Sequence, residues 1–267
     1  MILRFLILIF SAFSISMGME SLSSYAEPIT QPSPQIIPKL AQAYDDYFER
    51  GLQKLIRGDN QGAIADFTAA IRIKPDFAHA YLGRGAAKSV LGDKYGAISD
   101  FTAAIRIKSD FDNAYFSRGV AKYDLGDKYG SIADFTAAIL IKPDYAIAFF
   151  SRGEVKSDLG DTKGAITDWS EAIRIKPDDA IAYFNRGLAK IKLEDKYGAI
   201  ADWSEAIRIK PDFARAYNNR GLAKYELGDK QGSLADLRRA AQLFQKQGNT
   251  EQYQKALKLI GAIEKSR

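Results

Sequence analysis

One sequence, repeated in phase, constrains the fold of this chain more than any other feature. The stretch GAIADFTAAIRIKPD occurs five times with small changes, and a sixth, more divergent copy reads GSLADLRRAAQLFQK. The copies begin 34 residues apart, at Gly62, Gly96, Gly130, Gly164, Gly198 and Gly232. A fixed period of this length is typical of arrays in which each repeat buries its apolar surface against its neighbours.

The spacing of apolar residues within one repeat predicts two antiparallel helices. In the repeat that begins at Ala78, apolar residues recur at i, i+1, i+4, i+7 and i+8 from Ala97 to Ile105, which is one helical face. Gly92 is expected to end the preceding helix in a left-handed conformation, and Asp93 to cap the next one. A closing Lys-Pro-Asp, present in most repeats, then ends the second helix, because proline cannot continue it.

The repeats resemble the tetratricopeptide repeat, a pair of helices of the same length with fixed residue types at fixed positions. The resemblance covers residues 44–247, which divide into six repeats at 44–77, 78–111, 112–145, 146–179, 180–213 and 214–247. Counted from the first residue of each repeat, position 8 is always glycine: Gly51, Gly85, Gly119, Gly153, Gly187 and Gly221. Position 24 holds Phe67, Phe101, Phe135, Trp169, Trp203 and Leu237, for which a core role is expected. The resemblance implies an all-α fold, a right-handed superhelical solenoid of helix-turn-helix repeats.

A last helix is expected to close the array over residues 248–267. Asn249 can cap it, and its apolar face would contain Tyr253, Ala256, Leu257, Ile260 and Ile263. Repeat arrays need such a helix, since the final repeat would otherwise expose its apolar flank.

Two departures from the family pattern bear on structure. Glu194 stands where the other turns have glycine. In addition, position 7 is always arginine (Arg50, Arg84, Arg118, Arg152, Arg186, Arg220) and position 23 always aspartate (Asp66, Asp100, Asp134, Asp168, Asp202, Asp236). Matched opposite charges in every repeat predict a ladder of structural ion pairs between the helices. The alternative is a row of arginines that binds an anion.

The N-terminal segment has the pattern of a secretory signal. Arg4 precedes an uncharged apolar stretch of 15 residues, Phe5–Met19, and Ser24-Tyr25-Ala26 supplies the small residues of a cleavage site. We expect a cleaved signal peptide over residues 1–26, and an uncleaved anchor is the alternative. Residues 27–43 contain four prolines and are expected to form an extended linker. The protein is then exported, to the periplasm, an equivalent extracytoplasmic compartment or the lumen of a photosynthetic bacterium, with no stable membrane span after cleavage.

Composition argues against catalysis, cofactors and metal binding. The chain has no cysteine and a single histidine, His79, so neither a thiolate nor a paired-histidine site can form. The net charge of +5 comes from interleaved acidic and basic residues, which does not favour nucleic acid as a partner. We expect no enzyme activity, no cofactor and no metal ion.

In tetratricopeptide-repeat proteins the first helices of the repeats line a concave groove that holds the ligand. The corresponding candidates for contacts with a partner here are Phe48, Phe116, Tyr123, Phe150, Phe184, Asn185, Asn218, Asn219 and Tyr225. The groove would suit an apolar or aromatic segment of another protein or a peptide, whose backbone the asparagines can hydrogen-bond. The alternative is that the phenylalanines, all at position 5, pack within the array.

These features predict a non-catalytic scaffold or assembly factor that binds a partner segment in its groove. A structural spacer at the envelope or membrane is the alternative, and an RNA-binding helical repeat is a weaker one. The oligomeric state stays open at this point.

Overall fold

The computed structural model describes residues 36–266, with side chains from residue 42 onward, and in this part the chain is all-α. The thirteen helices of the described residues are α1 (Ile36–Ile56), α2 (Asn60–Ile73), α3 (Ala78–Val90), α4 (Lys94–Ile107), α5 (Asp112–Asp124), α6 (Lys128–Ile141), α7 (Ala146–Asp158), α8 (Thr162–Ile175), α9 (Ala180–Lys192), α10 (Lys196–Ile209), α11 (Ala214–Glu226), α12 (Lys230–Lys246) and α13 (Thr250–Lys265). The predicted all-α repeat fold is confirmed.

The helices belong to two compact units, the first ending at Pro143 and the second beginning at Asp144. In the first unit α1 packs on α2, α3 on α4 and α5 on α6; in the second, α7 packs on α8, α9 on α10, α11 on α12 and α13 on α12. Within each unit the second helix of one pair also contacts the first helix of the next. Each pair therefore buries its apolar flanks on its neighbours, as the period predicts.

Helix α1 begins earlier than the sequence pattern suggests. The linker was expected to extend through Ala43, but residues 36–43 are helical, so the prediction is wrong for them. Pro38 is compatible with this helix because it lies in the first turn, where a backbone N–H has no intrahelical acceptor. Residues 1–35, with the predicted signal peptide and the rest of the linker, lie outside the described residues.

The turns between paired helices show the expected chemistry. Gly92 has φ +88° and lies in the left-handed region, and the Asp93 side chain accepts a hydrogen bond from the backbone N–H of Gly96. Aspartates cap the corresponding helices of the other repeats in the same way. Because the glycine ends the first helix and the next residue caps the second, the turn between them is short and the two helices run antiparallel.

Glu194 adopts the same left-handed conformation, with φ +63°, at the turn where the other repeats have glycine. A side chain in this region costs about 1–2 kcal/mol because Cβ approaches the following carbonyl oxygen.

We therefore expect Glu194→Gly to raise the free energy of unfolding by about 1 kcal/mol, which urea denaturation followed by circular dichroism would measure. The reverse change at an equivalent turn, Gly160→Ala, should lower the free energy of unfolding. A loss of stability in Glu194→Gly would contradict the inference that the backbone at Glu194 is strained.

In the first five repeats position 8 is glycine because an aromatic ring occupies the space that a side chain would fill. A Cβ atom placed on Gly85 would lie 2.6 Å from Cε1 of Phe101, and one on Gly187 would lie 2.6 Å from Nε1 of Trp203. Phe101 and Trp203 are buried, as predicted for core residues. The absence of a side chain thus lets the first helix approach the ring of the second.

The Arg–Asp ladder is present in all six repeats. Each position 7 guanidinium donates two hydrogen bonds to the aspartate at position 23, with Nη2–Oδ1 distances of 2.5–2.7 Å. These aspartates are buried. In the first repeat, where a pKa shift is resolved, the hydrogen bond from Arg50 lowers the pKa of Asp66. The structural interpretation of the matched charges is therefore correct.

Two further contacts of the ladder were not predicted. A lysine at position 11, such as Lys88, forms a second ion pair with each aspartate at 2.8–2.9 Å. In four repeats the arginine also donates to a hydroxyl of the preceding repeat, as Arg84 does to Thr68 at 3.2 Å. The arginine thus connects the helices of its own repeat and, in these four cases, adjacent repeats within one compact unit.

Helix α13 closes the second compact unit. Asn249 caps it by accepting from the N–H of Gln252, as predicted. Ala256, Ile260 and Ile263 are buried against α12, but Leu257 is 41% exposed, so its expected place on the apolar face is wrong. Leu259 packs on this cluster instead.

Candidate functional site

The first helix of each repeat has one row of residues that faces away from its paired helix. Positions 2, 6, 9 and 13 follow the spacing i, i+4, i+7 and i+11 and lie within about 60° on the helix surface. Position 5 lies about 60° to one side of this row, toward the adjacent repeat. This geometry separates the predicted site residues into two groups.

The four phenylalanines at position 5 belong to the core. Phe48, Phe116, Phe150 and Phe184 are only 2–5% exposed. Phe48 and Phe184 each contact the phenylalanine that ends the same repeat, Phe77 and Phe213 respectively, with ring centroids 4.8 Å apart, and Phe116 contacts Phe135 at 5.4 Å. The prediction that they line a groove is therefore wrong, and the alternative, packing within the array, is correct.

The three asparagines lie on the first helices of the second compact unit. Asn185 on α9 and Asn219 on α11 occupy position 6 of consecutive repeats, and both are half-buried. The amide of Asn218 donates a hydrogen bond of 3.3 Å to the side-chain oxygen of Asn219. Asn185 makes no side-chain hydrogen bond to the described part of the chain. The structure thus presents two amides in equivalent places one repeat apart.

Apolar side chains flank these amides on the same row. Leu188 follows Asn185 on α9, and Leu222 follows Asn219 on α11, both half-buried. We call the surface formed by Asn185, Leu188, Asn219 and Leu222 the α9/α11 face. An amide followed by a leucine, repeated on the next helix, can hydrogen-bond a backbone and contact an apolar side chain alternately.

Arg215 is a residue that the site prediction missed. It occupies position 2 of α11, and its guanidinium lies 5.0 Å from the centroid of the Phe184 ring. It forms no ion pair within residues 42–266, and its side chain is exposed. Its helical spacing, four residues before Asn219, was the sequence signal that could have identified it.

The two predicted tyrosines lie at the ends of their helices. Tyr225 on α11 is 38% exposed, and its hydroxyl lies 3.5 Å from the Oγ atom of Ser266. Tyr123 on α5, in the first compact unit, is half-buried. Only Tyr225 shares a helix with residues of the α9/α11 face.

Helices α3 and α5 of the first compact unit present smaller side chains at two of these positions. Gly83, Ala86, Ser117 and Val120, at positions 6 and 9 of α3 and α5, are all buried. His79 packs between Phe77 and Phe111, with ring centroids 6.0 and 4.9 Å away. Burial, and then the charges of Lys108 and Lys74, lower the pKa of this imidazole.

Within the part of the chain whose side chains the structure describes, residues 42–266, no cluster of histidine, aspartate and glutamate side chains is arranged to ligate a metal ion. Across residues 36–266, none of the helices combines the length and the apolar character needed to cross a bilayer.

The helix pairs, each with a close contact at its position 8 glycine and an arginine and a lysine paired with one buried aspartate, define a class of all-α repeat protein. Sequence comparison then shows which kind of repeat this is. A model described as "TPR repeat" matches residues 153–193 and 197–228, and a model described as "Tetratricopeptide repeat" matches residues 112–145 and 214–247. The matched parts of residues 112–247 are thus tetratricopeptide repeats, and the other helix pairs of the described chain repeat the same residue pattern.

Solved structures of other proteins share this fold. A structure of MamA is 25% identical, with 62% of this chain and 96% of that chain covered and a TM-score of 0.58. YrrB, described as "a TPR protein with an unusual peptide-binding site", is 20% identical over 72% and 97% of the two chains, with a TM-score of 0.62. PilF of Pseudomonas aeruginosa is 16% identical over 81% and 97%, with a TM-score of 0.69. The comparison with curated proteins gave no match.

Proposed function

We propose that this protein is a non-catalytic scaffold or assembly factor that binds an extended segment of another protein on the α9/α11 face. The observation that carries the proposal is the pair of equivalent amides, Asn185 and Asn219, each beside a half-buried leucine. An asparagine amide can donate to a backbone carbonyl and accept from a backbone N–H, so it binds a peptide whatever its side chains are.

The flanking residues indicate what the segment contains. Leu188 and Leu222 favour apolar side chains, since covering them removes further apolar surface from water. Arg215 offers a guanidinium at the edge of the face, where a carboxylate of the segment can pair with it. Glu226, further along α11, is already in an ion pair with Lys196 at 2.8 Å. A segment with apolar residues and an acidic residue at one end fits these contacts.

The family relationship supports binding rather than catalysis. YrrB, which shares the fold, is described as having a peptide-binding site. By analogy, the repeat array of this chain is a surface for a peptide or protein segment, and its own residues determine which one.

We further propose that the protein acts after export. The support is the sequence of residues 1–26, in which Arg4, the apolar Phe5–Met19 stretch and the Ser24–Ala26 site follow one another in the order of a signal peptide. The partner is then a protein of the periplasm, an equivalent extracytoplasmic compartment or a photosynthetic lumen.

The binding proposal is tested by removing both amides. Short peptides selected on the purified chain from a random display library should bind the Asn185→Ala/Asn219→Ala variant at least about tenfold more weakly, because two hydrogen bonds are lost. Fluorescence anisotropy gives the dissociation constants. The matched control is Gln61→Ala/Gln231→Ala, which removes two exposed amides from the second helices α2 and α12. Equal affinity of both double variants would refute the proposed face.

A further inference from the structure

The side of α6 that faces away from the first helices is unusually apolar. Tyr129, Ala133, Ala137 and Leu140 follow one another at i, i+4, i+8 and i+11 and lie on one side of the helix. We call these four residues the outer face of α6. Tyr129 and Leu140 are each 77% exposed, which makes them two of the most exposed large apolar side chains of the described residues.

The equivalent face carries charge in the second helices of four other repeats, α2, α4, α8 and α10. The position of Leu140 is occupied by arginine in four other repeats: Arg72, Arg106, Arg174 and Arg208. In α8 and α10 a glutamate pairs with that arginine, as Glu171 does with Arg174 at 2.8 Å. The outer face of α6 has neither charge.

Helix α6 is consequently apolar on both sides. Its other side buries Phe135 and Ala138 in the core of the first compact unit. A helix that is apolar all round is normally covered all round, whereas a surface helix keeps a polar outer side. Leu140 stands in place of the arginine and Ala137 in place of the glutamate, and together with the exposed Tyr129 they indicate a covering surface.

We propose that the outer face of α6 is covered by the same face of a second copy of this chain, in an antiparallel helix pair about a twofold axis. The face is complementary to itself: large side chains stand at its two ends and alanines in its middle. In an antiparallel pair Tyr129 meets Leu140 of the partner subunit, while the alanines let the two backbones approach closely.

Electrostatics also favour a second copy of this uncharged face over a charged partner surface. No ionised side chain belongs to the outer face of α6, so a twofold axis through it brings no like charges together. The antiparallel arrangement places the positive N-terminal end of each helix beside the negative C-terminal end of the other. Tyr95, 77% exposed on the neighbouring helix α4, can extend the contact.

One helix face is smaller than a standard interface of about 1,600 Å², so the dimer is expected to be a weak, reversible one.

This proposal is independent of the α9/α11 face, which lies in the second compact unit. It is tested with single cysteines, because the natural chain has none. Ala133→Cys puts a thiol in the middle of the proposed contact, and Ala201→Cys puts one at the equivalent exposed position of α10. Cells that express the whole chain are treated with a short bis-maleimide, and products are separated by size. We expect a product of twice the chain mass from Ala133→Cys and little from Ala201→Cys.

Adding Leu140→Arg to the Ala133→Cys chain introduces the residue that four other repeats carry, at a position where the side chain is 77% exposed. It should reduce the crosslinked dimer to the level of Ala201→Cys, since the symmetry places the arginine in the contact twice and weakens association by about a hundredfold. A circular dichroism melt unchanged from that of the parent chain verifies the fold. Equal dimer from both cysteines, a dimer that survives Leu140→Arg, or a product whose mass shows a different protein would overturn the proposal.

Discussion

Replacing Asp100 with alanine is expected to lower the free energy of unfolding by about 3–5 kcal/mol, the usual effect of removing one partner of a buried ion pair. Asp100 accepts hydrogen bonds from Nε of Arg84 at 3.0 Å and from Nη2 at 2.7 Å, and it pairs with Lys88 at 2.8 Å. Both cations would lose their anion together. The lower end of the range is favoured, because Arg84 and Lys88 keep some access to water.

Urea denaturation followed by circular dichroism measures this change. Asp110→Ala is the matched control, because Asp110 is exposed and outside the ladder, and it should shift stability by no more than about 0.5 kcal/mol. If both variants unfold at the urea concentration of the parent chain, the ladder does not stabilise the fold.

Substitutions at two adjacent residues should affect different properties, the first stability and the second peptide binding. Phe184→Ala is expected to cost about 3–5 kcal/mol, because its ring is 2% exposed and packs on Phe213 in the core of the second compact unit. Asn185→Ala, one residue later on the row that faces away from α10, should cost less than about 1 kcal/mol and weaken peptide binding instead. Urea denaturation and fluorescence anisotropy on the same two variants separate the effects.

The comparison contradicts the account if Phe184→Ala retains the stability of the parent chain and loses only binding. Phe184 would then be a contact residue, as the repeat position first suggested. A strongly destabilised Asn185→Ala would be the second contradiction, since it would place the amide in the core.

The repetition of the sequence made most of the fold predictable. Six copies of one pattern fix which residues are equivalent, so the left-handed turn at Gly92, the cap at Asp93 and the Arg84–Asp100 pair could be predicted for one repeat and transferred to the others. The packing role of the position 8 glycine was likewise predictable from the family pattern, and the structure adds its reason, the ring of Phe101 against Gly85.

The site was less predictable, because a position within a repeat does not by itself determine exposure. Position 5 lies near the edge of the first-helix row, and only the structure shows that Phe48 and Phe184 are buried, each against the phenylalanine that ends its repeat. For the same reason Leu257 was placed on the wrong side of α13, where i and i+4 spacings allow more than one face. The ion pair of Lys88 with Asp100 and the hydrogen bond from Arg84 to Thr68 were not predicted. The spacing of Lys88 and Thr68 in the sequence does not by itself show which charged side chain each of them contacts.

Photo-crosslinking from the α9/α11 face tests the central claim, that the repeat array binds a protein segment there, most directly. Benzoylphenylalanine replaces Leu188 or Leu222 in cells of the native host that express the whole chain, and Ala235, exposed on the outer side of α12, serves as the control position. The account predicts a crosslink to another polypeptide from Leu188 and Leu222 and none from Ala235. A crosslink from Ala235 alone, or equal crosslinking from all three positions, would contradict it.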